Sequence, residues 1–106
     1  MKKKYNIAVV GLGQIGSYLL NELNIKKKII EVKTGVKINI VAISAKNIKK
    51  KRKYKFNKKI FYSNPFEIFK KHRVDILFEA IGMSDGISKK IVEEALNNKT
   101  HVITPN

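Results

Sequence analysis

The 106-residue sequence predicts an α/β fold, a doubly wound parallel sheet with helices on both faces in three layers. Three observations predict it. Short apolar, β-branched runs alternate with helical patterns at short intervals, the order of a parallel sheet and not of a bundle or a sandwich. The run Ile40-Val41-Ala42-Ile43 lacks polar alternation, as a strand covered on both faces requires. A glycine-rich turn also joins the first apolar run directly to the first helical pattern.

Tyr5–Val10 reads as the first strand, short, buried and ended by glycine. Gln14 to Asn24 reads as a helix whose inward face carries Ile15, Leu19, Leu20 and Leu23. Lys26–Gly35 is a charged connection in which Ile29, Ile30 and Val32 either extend that helix or pack beneath it. Lys37–Ser44 is the second strand, Ala45–Lys59 a basic loop with little pattern, and Ile60–Tyr62 a short third strand. A second helix starts at Asn64-Pro65-Phe66-Glu67 and ends near His72. Asn64 can cap it, Pro65 suits the first helical position, and Glu67 is placed to reach back in a capping box. Asp75–Ile81 is the fourth strand and Gly82–Gly86 a loop. Ile87–Asn97 is a helix with Ile87, Ile91, Val92 and Ala95 inward, and His101–Thr104 is the fifth strand. The expected strand order is 3-2-1-4-5, with ligand at the C-terminal ends of the strands and one sheet edge left exposed.

Composition narrows the function classes. A chain of this length makes one compact domain, here residues 1–106, around a single core. There is no cysteine, which removes disulfides, thiolate metal sites and thiol nucleophiles and fits a reducing cytoplasm. No stretch approaches the roughly 20 apolar residues that cross a bilayer. The basic start at Lys2–Lys4 is no signal peptide, because glycines interrupt the apolar run and no small-residue cleavage site follows. The net charge of +15 invites a nucleic-acid reading. Against it, 21 of the 23 basic residues are lysine, Ile and Asn are abundant too, and the lysines are scattered along the chain. That pattern is codon bias written onto a solvated surface, and no nucleic-acid partner is expected.

Gly11-Leu12-Gly13-Gln14-Ile15-Gly16 is a G-x-G-x-x-G sequence set between a buried strand and an amphipathic helix. Those are the contexts in which it binds a dinucleotide, and they make the predicted fold Rossmann-type. Gly11 permits the sharp turn, Gly13 lets a pyrophosphate approach the backbone, and Gly16 lets helix and strand pack closely. Free amides at the helix start then face the phosphates. No Gly-Lys-Ser/Thr follows, so the turn is not a mononucleotide P-loop. NAD-preferring sites place an acid near the end of the second strand to hold the ribose hydroxyls. Ser44-Ala45-Lys46-Asn47 has none, while Lys46 and the following Lys49–Arg52 suit a 2′-phosphate. The cofactor is therefore NADP or NAD, with NADP or mixed use favoured. His72 suits a helix C-terminus and His101 opens a strand at the edge away from ligand, so both read as structural. Glu79, inside a buried strand, reads as a paired carboxylate, a brace for the cofactor loop or a substrate contact. No metal cluster, paired-carboxylate site or nucleophile–base pair is present in the sequence.

Three segments together resemble the amino-terminal domain of homoserine dehydrogenases. They are Ala8–Gly16, the stretch Lys33-Thr34-Gly35 with Ile40–Asn47, and the tail from Asp75–Gly82 through Glu94-Ala95-Leu96 to Lys99–Asn106. The resemblance implies NAD(P)-linked interconversion of aspartate 4-semialdehyde and homoserine, on the route to threonine and methionine. It implies that Gly11, Leu12, Gly13, Gln14, Ile15 and Gly16 hold the pyrophosphate and ribose, and that Lys46 lies by the adenosine ribose. Ile81, Gly82 and Ser84 would border the nicotinamide, and Thr104 and Asn106 would lie near the nicotinamide and substrate cleft. Met83 stands where the family commonly has a second glycine. The family's lysine would be the residue after Asn106, and the substrate-binding, dimerising domain with a second catalytic lysine would lie outside these residues. The chain is thus expected to bind cofactor, to carry no catalytic residue of its own and not to turn over. The small-molecule substrate and homodimer are expected of the full-length enzyme. The alternatives are the cofactor domain of another small-carbonyl or imine reductase, such as an aspartate dehydrogenase, and a non-catalytic dinucleotide-binding module.

Overall fold

The computed structural model describes residues 3–81 and 86–105. Five parallel strands form one sheet in the order β3-β2-β1-β4-β5, as expected. The strands are β1 (Lys3–Val10), β2 (Val36–Ser44), β3 (Phe61–Tyr62), β4 (Ile76–Glu79) and β5 (His101–Ile103). The helices are α1 (Gln14–Thr34), α2 (Phe66–Lys71) and α3 (Ile87–Asn97), with a single 3₁₀ turn at Lys58–Ile60.

Side chains of the central strands alternate between two apolar layers, the behaviour of a parallel sheet covered on both sides. Ala8, Val10, Ala42 and Leu77 pack with Ile68 of α2 and with Ile91 and Ala95 of α3. Val9 and Ile43 face the other way and pack with Leu12, Leu20 of α1, and Phe56, Ile60 and Phe61 before and at β3. Each fully buried Ile, Leu or Val removed from water in this way contributes about 1.5–3 kcal/mol before entropy is counted. Between Ile7 and Ala8 the β1–β2 register shifts by one residue: Ile7 pairs with Ile40 but Ala8 with Ala42. Past this bulge Val10 lies opposite Ser44.

At the opposite end of the sheet, polar groups clasp the strands. The Asn6 amide donates to Asp75 Oδ2 at 2.7 Å, and Asp75 N returns a bond to Asn6 O at 2.8 Å. Asn6 Nδ2 donates to Arg73 O, Asn39 Nδ2 donates to Asn6 Oδ1, and His101 N donates to Asp75 O. This joins β2, β1 and the starts of β4 and β5.

Several expected boundaries move. The first helix does not stop at Asn24 but continues through Lys26–Gly35, one of the two readings left open above, and ends at Thr34. No proline or glycine interrupts that span, Glu22 pairs with Lys26 at 3.1 Å one turn on, and Gly35 stops the helix in the left-handed region at φ 74°. Ile15, expected inward, is 61% exposed, because the helix lays Gly16, Ser17 and Leu20 on the sheet instead. Ile87, also expected inward, sits in the first turn of α3 and is 38% exposed. The fourth strand is shorter than Asp75–Ile81, and the third excludes Ile60, which closes the 3₁₀ turn. Asn64 caps α2 as expected, its Oδ1 accepting from Phe66 N at 3.0 Å. Glu67 does not reach back; its carboxylate lies 3.6 Å from Lys70 Nζ on the helix surface.

Candidate functional site

The turn from β1 into α1 is fixed on three sides. Gly11 N donates to Ser44 O and Ala80 N donates to Val10 O, both at 2.8 Å, so the turn is stitched between β2 and the end of β4. Gly11 adopts φ +97°, and a Cβ there would meet the Ala80 carbonyl at 2.6 Å. A Cβ on Gly16 would lie 1.7 Å from Gly11 O, so helix and turn touch backbone to backbone. Gly13 differs. A Cβ on it would meet nothing within 4 Å, so no neighbour among the described residues requires a glycine there.

Gly13 is also where α1 begins, and no side chain caps that helix and no acid stands in its first turn. The first amides of a helix lack internal partners, and together with the dipole they favour an anion. Leu12 faces inward, 3% exposed, and fastens the turn to the core. Its carbonyl accepts from Ser17 Oγ at 2.7 Å and from Arg52 Nε at 3.0 Å.

Around this turn lies a cleft of about 360 Å³ at the C-terminal edge of the sheet. Its walls include Gly11–Gly13, the Ser44–Asn47 segment, Arg52, Ser63, Pro65, Ala80, Ile81 and Ile87. Ser44 is buried and Lys46 is exposed on the rim. Glu79, 2% exposed, accepts the Ile81 amide on Oε2 at 2.8 Å. That bond fixes the backbone leaving β4. A second, larger hollow of about 620 Å³ lies on the α1 side of the turn, between Gln14, Ile15 and Tyr18 and the Lys50–Tyr54 segment. Tyr18 and Tyr54 meet edge to face there, with ring centroids 6.2 Å apart.

Of the residues expected to hold cofactor, Gly11, Leu12, Gly13, Lys46 and Ile81 therefore come together in one cleft. Gln14 and Ile15 border the neighbouring hollow, and Gly16 is buried beneath the turn. Thr104 follows β5 on the same edge of the sheet, is exposed, and does not line the cleft. Gly82, Ser84 and Asn106 lie outside the described residues. Sequence reasoning missed Ser63, Pro65 and Ile87; the loops that follow strands three and four were the signal, since such loops line sites in parallel sheets. His72 bonds Tyr62 Oη at 2.9 Å at the end of α2, and neither it nor His101 borders the cleft. Among the described residues there is no group of side chains able to hold a metal, and no helix is long and apolar enough to cross a membrane.

Comparison with known proteins agrees with this geometry. Residues 11–106 match the family of homoserine dehydrogenase NAD-binding domains. A homoserine dehydrogenase of Helicobacter pylori is 35% identical over 83 residues, which cover 77% of this chain and 19% of that protein. An aspartate-semialdehyde dehydrogenase of Rickettsia typhi is 33% identical over 104 residues, covering 97% of this chain and 28% of the relative. The solved homoserine dehydrogenase of S. aureus at pH 7.5 superposes with a TM-score of 0.85 at 30% identity, over 98% of this chain and 26% of that one. The chain thus spans only about a quarter of the length of the proteins it matches. With the strand order, the glycine turn and these matches in agreement, the chain belongs to the family of homoserine dehydrogenase NAD-binding domains.

Proposed function

We propose that residues 1–106 act as one NAD(P)-binding domain, and that the 360 Å³ cleft holds the dinucleotide across the glycine turn. The observation that carries this reading is the open space at Gly13 beside an uncapped helix start. Gly11 and Gly16 are required by packing, whereas no described neighbour accounts for the missing side chain at Gly13, which supports a ligand approaching there from outside. In this reading the amides of Gly13, Gln14, Ile15 and Gly16 hold the pyrophosphate, and Lys46 lies by the adenosine ribose. Ile81, with Gly82 and Ser84, borders the nicotinamide, and Thr104 and Asn106 lie toward the substrate.

No acid stands at the end of β2, and Lys46 and Lys50 contribute to the cleft, which supports NADP over NAD. When bound, the nicotinamide supplies hydride chemistry. The chain's own part is to bind and aim it. The names of the relatives, homoserine dehydrogenase and aspartate-semialdehyde dehydrogenase, support aspartate 4-semialdehyde and homoserine as the substrate pair of the whole enzyme. The carbonyl-polarising lysines and the dimer interface would belong to that enzyme's other parts, so these 106 residues bind cofactor without turning it over.

Calorimetric titration with NADPH and NADH tests the site. The wild-type chain is expected to bind both, NADPH more tightly. Gly13→Val is expected to fold within about 0.5 kcal/mol of wild type, since its side chain meets open space. It should nevertheless lose about 100-fold or more in affinity, because the side chain occupies the pyrophosphate's place. Equal binding by the two proteins refutes the site.

A further inference from the structure

The basic loop between β2 and β3 is tied to the glycine turn by one side chain. Arg52 Nε reaches across 40 residues of sequence to Leu12 O at 3.0 Å. Its Nη1 donates to Lys50 O at 3.1 Å and to Ile48 O at 3.4 Å, and its Cζ lies 5.6 Å from the centre of the Phe56 ring. The guanidinium is thus braced by its own loop while it holds the turn.

The carbonyl it holds is shared with Ser17 Oγ at 2.7 Å. A trans peptide unit is planar, so its C=O and N–H point in opposite directions. The described residues contain no cis peptide. Gripping Leu12 O from two donors therefore fixes the direction of the Gly13 N–H, which belongs to the same peptide. We propose that Arg52 is a positioning residue for dinucleotide binding, aiming the Gly13 amide at the pyrophosphate by holding the Leu12 carbonyl. The inference rests on the functional reading above.

Residue type supports it. Arg52 is one of two arginines among 23 basic residues. A lysine would supply the same charge, but only the planar guanidinium presents Nε and Nη1 donors rigidly to three carbonyls at once. A cation on the carbonyl also polarises the peptide and makes its N–H a stronger donor.

The experiment titrates wild type, Arg52→Lys and Arg52→Gln with NADH and NADPH, and follows the Gly13 amide resonance by NMR. Both variants are expected to lose about tenfold in affinity for each dinucleotide alike, the scale of one charged hydrogen bond. The Gly13 amide resonance should move in both without ligand, while that of Gly35, held at the far end of α1 by Glu31 O, stays. Guanidinium ion should restore NADH affinity to Arg52→Ala, and methylammonium should not. Wild-type affinity in Arg52→Lys overturns the inference, and so does a loss confined to NADPH, which would mark a direct 2′-phosphate contact. If the wild-type chain binds neither dinucleotide, the functional reading falls and this inference with it; the two failures are therefore distinguishable.

Discussion

The glycine turn at residues 11–16 and the basic loop at residues 45–60 face each other across the same cleft, yet they are held by opposite means. The turn is held first by backbone, with Gly11 N on Ser44 O, Ala80 N on Val10 O and Gly16 pressed on Gly11 O, and Ser17 and Arg52 add only their grip on Leu12 O. The loop is held by side chains. Arg52 grips three carbonyls, Phe56 packs toward Ile43 and Leu20, and Asn47 and Asn57 close small turns on Lys49 N and Lys59 N. Where backbone presses on backbone, as at Gly11 and Gly16, no added atom is tolerated, while side chains elsewhere are free to vary. A side-chain-held segment depends on a few residues and is indifferent to the rest.

The largest expected effect is at the turn. Gly16→Ala places a methyl on Gly11 O with no flexible neighbour to yield. It should cost about 3 kcal/mol and lower the melting midpoint by more than about 12 °C. A midpoint near wild type would mean that the turn is less tightly held than its contacts show. In the loop, Phe56→Ala removes a half-buried ring that packs on Phe61 and Arg52 and should cost about 2 kcal/mol, read from urea unfolding. An unchanged urea midpoint would show that Arg52 holds the loop alone. Smallest of all, Lys51→Ala in the same loop should leave the midpoint unmoved, because Lys51 is an exposed lysine on a solvated surface. A clear drop there would make the loop's charge structural and undo the contrast.

The same difference explains what could be read in advance. The turn, the strand order and the two-sided core were legible because each leaves a local pattern: glycine spacing, unbroken apolar runs, helical periodicity. The loop left none, since its organising contact joins Arg52 to Leu12 and carries no periodicity. The full length of α1 was only half legible. The spacing of Glu22 and Lys26 and the position of Gly35 were signals left unused, and the exposed apolar residues Ile25, Ile29 and Val32 blurred the amphipathic stripe. Ile15 and Ile87 misled for one reason. Both occupy first helical turns and border the hollows at the C-terminal edge of the sheet, where periodicity alone overstates burial.

The clasp of Asn6 with Asp75 works as a ruler for the far end of its strand. From Asn6 to Gly11 the chain is extended, a span of roughly 16 Å at the rise of a strand. Were β1 to slide by a single residue, every side chain on it would swap faces. Val10 would arrive where the backbone demands φ +97°, a conformation a β-branched residue resists. The clasp midway along the strand thereby sets, at a distance, which residue turns the corner.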